Sequence, residues 1–166
     1  MNAKYLLLAL VVVFVLLANM LEPPEPAGTV GNKTVGNYSN LFFSYNIIRY
    51  PSSVEITPAE SLNNSIVLGF ATESWSINFG SVPAKGSYAT RTVDISNSNE
   101  FDVEIIMKAY GNISDMVIFR ENNIVLEPGE KKSVGIVLES KEDIGNYSGE
   151  IDIMIKKPIY IFPSIV

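Results

Sequence analysis

The chain has 166 residues and a formal net charge of -6, from 18 acidic and 12 basic side chains, with neither cysteine nor histidine. Without cysteine there is no disulfide and no thiolate to bind metal or attack a substrate, and without histidine the usual neutral-pH base and the commonest metal ligand are missing. Ser-His-Asp, Cys-His and zinc-hydrolase chemistry are thereby excluded, and an acidic chain has no electrostatic reason to bind nucleic acid.

Lys4 precedes an apolar run from Tyr5 to Leu21, broken only by Asn19, and Glu22-Pro23-Pro24-Glu25-Pro26 follows at once. Such a run partitions into a bilayer. With the basic flank before it and the acidic flank after it, Met1 is expected to stay inside and everything beyond Leu21 to be exported. The run sits at the lower limit of about 17 residues for crossing a roughly 30 Å hydrocarbon core. A cleavable signal ends in small residues, whereas Ala18 has Leu16 two positions before it. Residues 1–21 are therefore expected to be a retained transmembrane helix anchoring the chain to the membrane; a cleaved signal peptide with a secreted product is the alternative.

Residues 22–39 read as a linker. The proline stretch is stiff, and the Gly/Asn/Thr-rich remainder, with its near-repeat Thr29-Val30-Gly31-Asn32 and Thr34-Val35-Gly36-Asn37, is flexible. It is expected to hold a domain clear of the membrane. From residue 40 to residue 166 the pattern is β throughout, and the roughly 145 residues beyond the apolar run suffice for one domain. Asn40 to Tyr50 and Ser53 to Thr57 are expected strands separated at Pro51. Ser65 to Thr72 is a strongly apolar one, and Trp75 to Val82 ends at the turn Pro83-Ala84-Lys85-Gly86.

Alternation is clearest in the second half. Val93 and Ile95 alternate with Thr92, Asp94 and Ser96. Val103, Ile105 and Met107 alternate with Asp102, Glu104 and Lys108. Val134, Ile136 and Leu138 recur every second residue, as do Tyr147, Gly149, Ile151, Ile153 and Ile155. Period two with one apolar face predicts half-buried antiparallel strands, and two such sheets pack face to face. The expected fold is all-β, an antiparallel sandwich preceded by one N-terminal hydrophobic helix. Val93, Ile95, Val103, Ile105, Val134, Ile136, Ile151 and Ile153 are the expected core. On the inward face, Gly149 is expected to let Tyr147 or Trp75 close over the backbone.

Five segments occur in order: Phe79-Gly80-Ser81-Val82-Pro83, Thr92-Val93-Asp94-Ile95-Ser96-Asn97, Leu126-Glu127-Pro128-Gly129-Glu130, Val134-Gly135-Ile136-Val137-Leu138 and Gly145-Asn146-Tyr147-Ser148-Gly149-Glu150-Ile151. Together, over residues 75–158, they resemble the immunoglobulin-like modules, close to fibronectin-III and NEW3-type repeats, of archaeal and bacterial surface proteins. The resemblance implies an immunoglobulin-like β-sandwich. It implies no particular activity, because these modules serve as spacers, adhesive units, filament subunits and enzyme accessories. The layout of one helix and one sandwich is also similar to that of archaellum stator proteins.

Asn-x-Ser/Thr sequons at Asn32, Asn37, Asn63, Asn112 and Asn146 are candidate N-glycosylation sites, two in the linker, two in turns and one on the polar face of a strand. Glu100, Asp102, Glu104, Glu150 and Asp152 could meet on one polar face as a calcium site. No loop has dense ligand spacing, so a solvated face is expected instead and no metal is assigned. Nothing marks a carboxylate pair for glycoside hydrolysis. Trp75 is expected in the core, with a sugar-stacking platform as the alternative. No catalytic residue, cofactor or small-molecule substrate is expected. The apolar tail Pro158–Val166 is too short to cross a bilayer and is expected to dock along a sheet edge. The chain is therefore expected to be a non-enzymatic envelope protein whose partners are the membrane and another surface protein or itself. The alternative is a secreted, pilus-like filament subunit assembled by strand addition through Asn40–Tyr50 or the tail.

Overall fold

A computed structural model describes residues 3–19, 22–28, 30–59 and 75–159. The expected strand at Ser65–Thr72, the sequon at Asn63 and the tail beyond Ile159 lie outside the described residues. The helix α1 spans Ala3–Asn19, and among the described residues nine strands follow: β1 Thr34–Ser39, β2 Phe43–Thr57, β3 Ile77–Pro83, β4 Tyr88–Ser96, β5 Val103–Gly111, β6 Val117–Phe119, β7 Ile124–Leu126, β8 Lys131–Glu139 and β9 Gly145–Pro158. The protein is an all-β sandwich of two sheets behind one N-terminal helix.

The larger sheet runs β1-β2-β9-β5-β7, with β3 also on β2; the smaller runs β4-β8-β6. Pairing is antiparallel except between β2 and β3, which are parallel. The long β2 pairs with β9 from Phe43 to Ile56 along one edge. Its other edge is shared: β1 takes Ser44–Arg49, and β3 takes Ser52–Thr57. Pro51 falls between those two partners. A proline has no N–H to contribute to a ladder, and on this edge none is required of it. This is why one 15-residue strand runs through Pro51 instead of the two expected strands.

The expected core residues are all buried except Val93, which is partly buried and packs against the core. One end of the core gathers Val54, Ile56, Phe79, Ile136, Leu138 and Ile151; the other gathers Ile95, Val103, Ile105, Leu126, Val134 and Ile153. Tyr50, Val93 and Phe119 touch both. Each such side chain contributes roughly 1.5–3 kcal/mol on leaving water.

Two of the sequence segments lock together. Asn97, which ends the loop side of β4, is 2% exposed. Its side-chain amide donates to the carbonyls of Phe101 and Leu126, and its carbonyl oxygen accepts from Asn99. Its backbone pairs with the Pro128-Gly129 turn, Asn97 N–H to Glu130 O at 2.9 Å and Gly129 N–H to Asn97 O at 2.8 Å. The Asn at the strand end and the Pro-Gly-Glu turn are thus two halves of one hydrogen-bonded corner.

Gly149 is inward, as its alternation requires, but no aromatic ring closes over it. The space where its side chain would be is taken by the Tyr110 carbonyl and the Ile113 side chain. The reason is that β5 ends in Gly111, which pairs directly with Gly149 and turns at φ +81. The short strands β6 and β7 have three residues each, too few for an alternation to be visible in the sequence.

Candidate functional site

Two features stand out as candidates: the apolar helix and the outer face of the larger sheet. Helix α1 is apolar on every side, and the sandwich does not bury it. Leu7, Phe14 and Leu17 are 66%, 66% and 59% exposed, and their apolar neighbours are similar. The helix has 17 residues, and no helix among the described residues is long and apolar enough to cross a membrane.

The segment after the helix is a strap over the outer face of the larger sheet rather than a free stalk. Lys108 on β5 is ion-paired with Glu22, and the Val30 N–H donates to the Glu150 carboxylate on β9. Between these ends, Pro24, Glu25, Pro26 and Ala27 lie across a groove of about 280 Å³ from Thr34–Tyr38, Ile47 and Arg49. The segment expected as linker also supplies β1, so the sheet begins at Thr34.

This cover changes the reading of the acidic residues. Glu150 and Asp152, expected on a solvated face, are 1% and 2% exposed. The alternation assigns their face correctly, but that face is covered. Arg49 on β2 meets Asp152 in a two-pronged contact, Nε–Oδ1 and Nη2–Oδ2 both at 2.7 Å. Its Nε also lies 3.4 Å from Glu150, whose Oε2 has no hydrogen-bond partner among the described residues. The bond to Asp152 holds the Arg49 pKa above its ordinary value. Glu104 pairs with Lys156 instead, at 2.8 Å, while Glu100 and Asp102 are exposed. The five carboxylates therefore do not converge. Among the described residues no group of three or more acidic side chains could hold a metal ion.

On the same outer face, Tyr45 and Tyr110 flank the strapped region, and burial raises the pKa of both phenols. Tyr45 stacks at a tilt on Tyr38 of β1, with ring centroids 5.9 Å apart.

The remaining candidates are separate. Asn32, Asn37, Asn112 and Asn146 are all exposed, in the strap-to-β1 bend, in β1 itself, in the turn after β5 and on β9. Asn146 lines a shallow polar groove of about 340 Å³ with Ser53, Glu55, Asn78 and Ser81. Trp75 is 68% exposed, not in the core; it stands in the turn before β3, and it does not line that groove. Pro158 still pairs with Phe43, and the Ile159 N–H donates to the Phe42 carbonyl, so the first tail residues follow the start of β2. The expected donor segment up to Tyr50 lies inside its own sheet, between β1 and β9.

Compared with known proteins, the chain matches no protein-family model and no curated protein. The fold is a β-sandwich compatible with an immunoglobulin-like module.

Proposed function

We propose that this chain is an exported, non-enzymatic β-sandwich held to a membrane by α1, with a structural or protein-interaction role in the cell envelope. The observation that carries this reading is the helix itself. It is apolar all round and is left exposed by the domain that follows. A helix of this kind belongs in lipid or in a large core. Its 17 residues reach about 25 Å at about 1.5 Å per residue, short of a roughly 30 Å core. The apolar sequence continues through Met20-Leu21, and a bilayer thins locally at fractions of a kcal/mol per ångström. Lys4 on one flank and Glu22 and Glu25 on the other favour the domain outside.

The Asn97 corner supports kinship with fibronectin-III or NEW3-type modules, since it gives two of the resembling segments a shared structural task. The exposed sequons Asn32, Asn112 and Asn146 suit glycan acceptors on an exported domain, whereas Asn37 lies within the edge strand β1. Protease added to intact cells tests the topology. The sandwich should be cleaved or shed while a cytoplasmic control survives, and an intact Met1 should be recovered from the membrane fraction. A chain protected as fully as the control would overturn the reading, and a mature N-terminus beyond Asn19 would replace the anchor with a cleaved signal.

A further inference from the structure

The edges of the two sheets are protected in different ways, with one exception. An exposed strand edge is a template for pairing with another chain, and proteins blunt edges with short strands, charges, prolines or bulges. The edge strands β6 and β7 have three residues each. β4 carries Arg91 and Asp94, and Arg91 Nε reaches over to the Asn78 carbonyl on β3 at 2.7 Å. β3 has a register shift against β2, a Gly80 at φ +75 and a terminal Pro83. β1 has none of these. It is six residues long, Thr-Val-Gly-Asn-Tyr-Ser, with no charge and no proline. Its register with β2 is unbroken. Among the described residues it pairs with β2 alone. Val35 is 63% exposed.

We propose that β1 is a self-association edge, and that its partner is β1 of a second copy of this chain. Two antiparallel β1 strands would join the larger sheets into one continuous sheet about a two-fold axis perpendicular to it. Because cross-strand neighbours share a face, the symmetric register puts Gly36 opposite Gly36 of the second copy. Val35 then meets Asn37, and Thr34 meets Tyr38. No charged residue faces its like in this arrangement. An axis perpendicular to the sheet also leaves both outer faces on the same side. The two straps over those faces, each starting at Glu22 beside Lys108, therefore lie on one side as well, as two tethers entering a single membrane require. The inference deepens the proposed interaction role by naming the partner.

The absence of cysteine makes the register directly testable. Paired Cα atoms in an antiparallel ladder lie about 4.5–5.5 Å apart, within the roughly 4.4–6.8 Å that a disulfide spans. A side chain added at Gly36 meets no atom within 4 Å, so Gly36→Cys does not disturb the fold. Full-length Gly36→Cys, made in a host without N-glycosylation so that Asn37 is bare, is oxidised in membranes alongside Val125→Cys on the opposite edge. The expected result is a reducible species of twice the mass for Gly36→Cys and none for Val125→Cys. In detergent, Val35→Lys combined with Asn37→Lys should weaken self-association at least tenfold. The proposal is overturned if Gly36→Cys cross-links no more than Val125→Cys, if its adduct is with a different protein, or if the two lysines leave self-association unchanged. Surface exposure is read separately by protease on intact cells, so failure of the edge does not touch that reading.

Discussion

The side-chain amide of Asn97 donates to the Leu126 carbonyl at 2.9 Å, joining the end of β4 to the strand before the Pro128-Gly129 turn. The same amide donates to the Phe101 carbonyl at 2.8 Å, and Asn97 itself is buried. Asn97→Leu would take this donor away from both carbonyls and should cost roughly 1–3 kcal/mol. Asn97→Asp removes the donor as well and should be nearly as costly. Denaturant unfolding of the full-length chain in mild detergent measures this, and a midpoint for Asn97→Leu equal to that of the parent would refute the corner.

Gly149 and Gly111 face each other across β9 and β5 with no room for a side chain on either. A Cβ on Gly111 would lie 2.9 Å from the Gly149 Cα, and one on Gly149 would run into the Tyr110 carbonyl. Gly149→Ala should cost about 1–3 kcal/mol or more through overpacking against backbone. Gly36→Ala, which meets nothing within 4 Å, should stay within about 0.5 kcal/mol of the parent. Equal melting temperatures for the two variants would contradict the close approach.

Arg49 is the only cation in contact with the Asp152 and Glu150 carboxylates among the described ion pairs. Arg49→Met strands two buried acids and is expected to cost about 3–5 kcal/mol, whereas Arg49→Met with Asp152→Leu should recover part of that loss. Arg49→Lys cannot reproduce the two-pronged contact and should not rescue fully. By contrast, Lys108→Ala breaks only a largely exposed pair with Glu22 and should cost under about 1 kcal/mol. A Lys108→Ala loss as large as that of Arg49→Met would reverse this ranking.

Burial raises the pKa of Tyr45 and Tyr110 above the ordinary phenol value of 10.0. The folded state therefore holds both protons more tightly than the unfolded chain does. The associated stability is complete below pH 10 and is lost as the pH rises through the folded values. Unfolding midpoints should fall on the alkaline side of 10 in the parent, and less steeply in Tyr45→Phe and Tyr110→Phe. An alkaline slope unchanged by both substitutions would show that other groups carry it.

The strands of the second half were legible in the sequence because period two is a local property. Ile151 and Ile153 had to share a face whatever the rest of the chain did, and they are buried. The turns at Pro128-Gly129 and Gly111-Asn112 were equally local. The apolar helix followed from composition alone. What the sequence could not determine was which strands become neighbours and what lies over each face. Pro51 signalled a break, yet β2 continues through it because β1 and β3 share that edge. Glu150 and Asp152 alternated as a polar face, yet Arg49, 103 residues from Asp152, and the strap held at Glu22 and at Val30 cover them. Local pattern fixes the direction in which a side chain points. Only the packing of distant segments decides whether water, an arginine or another strand waits there.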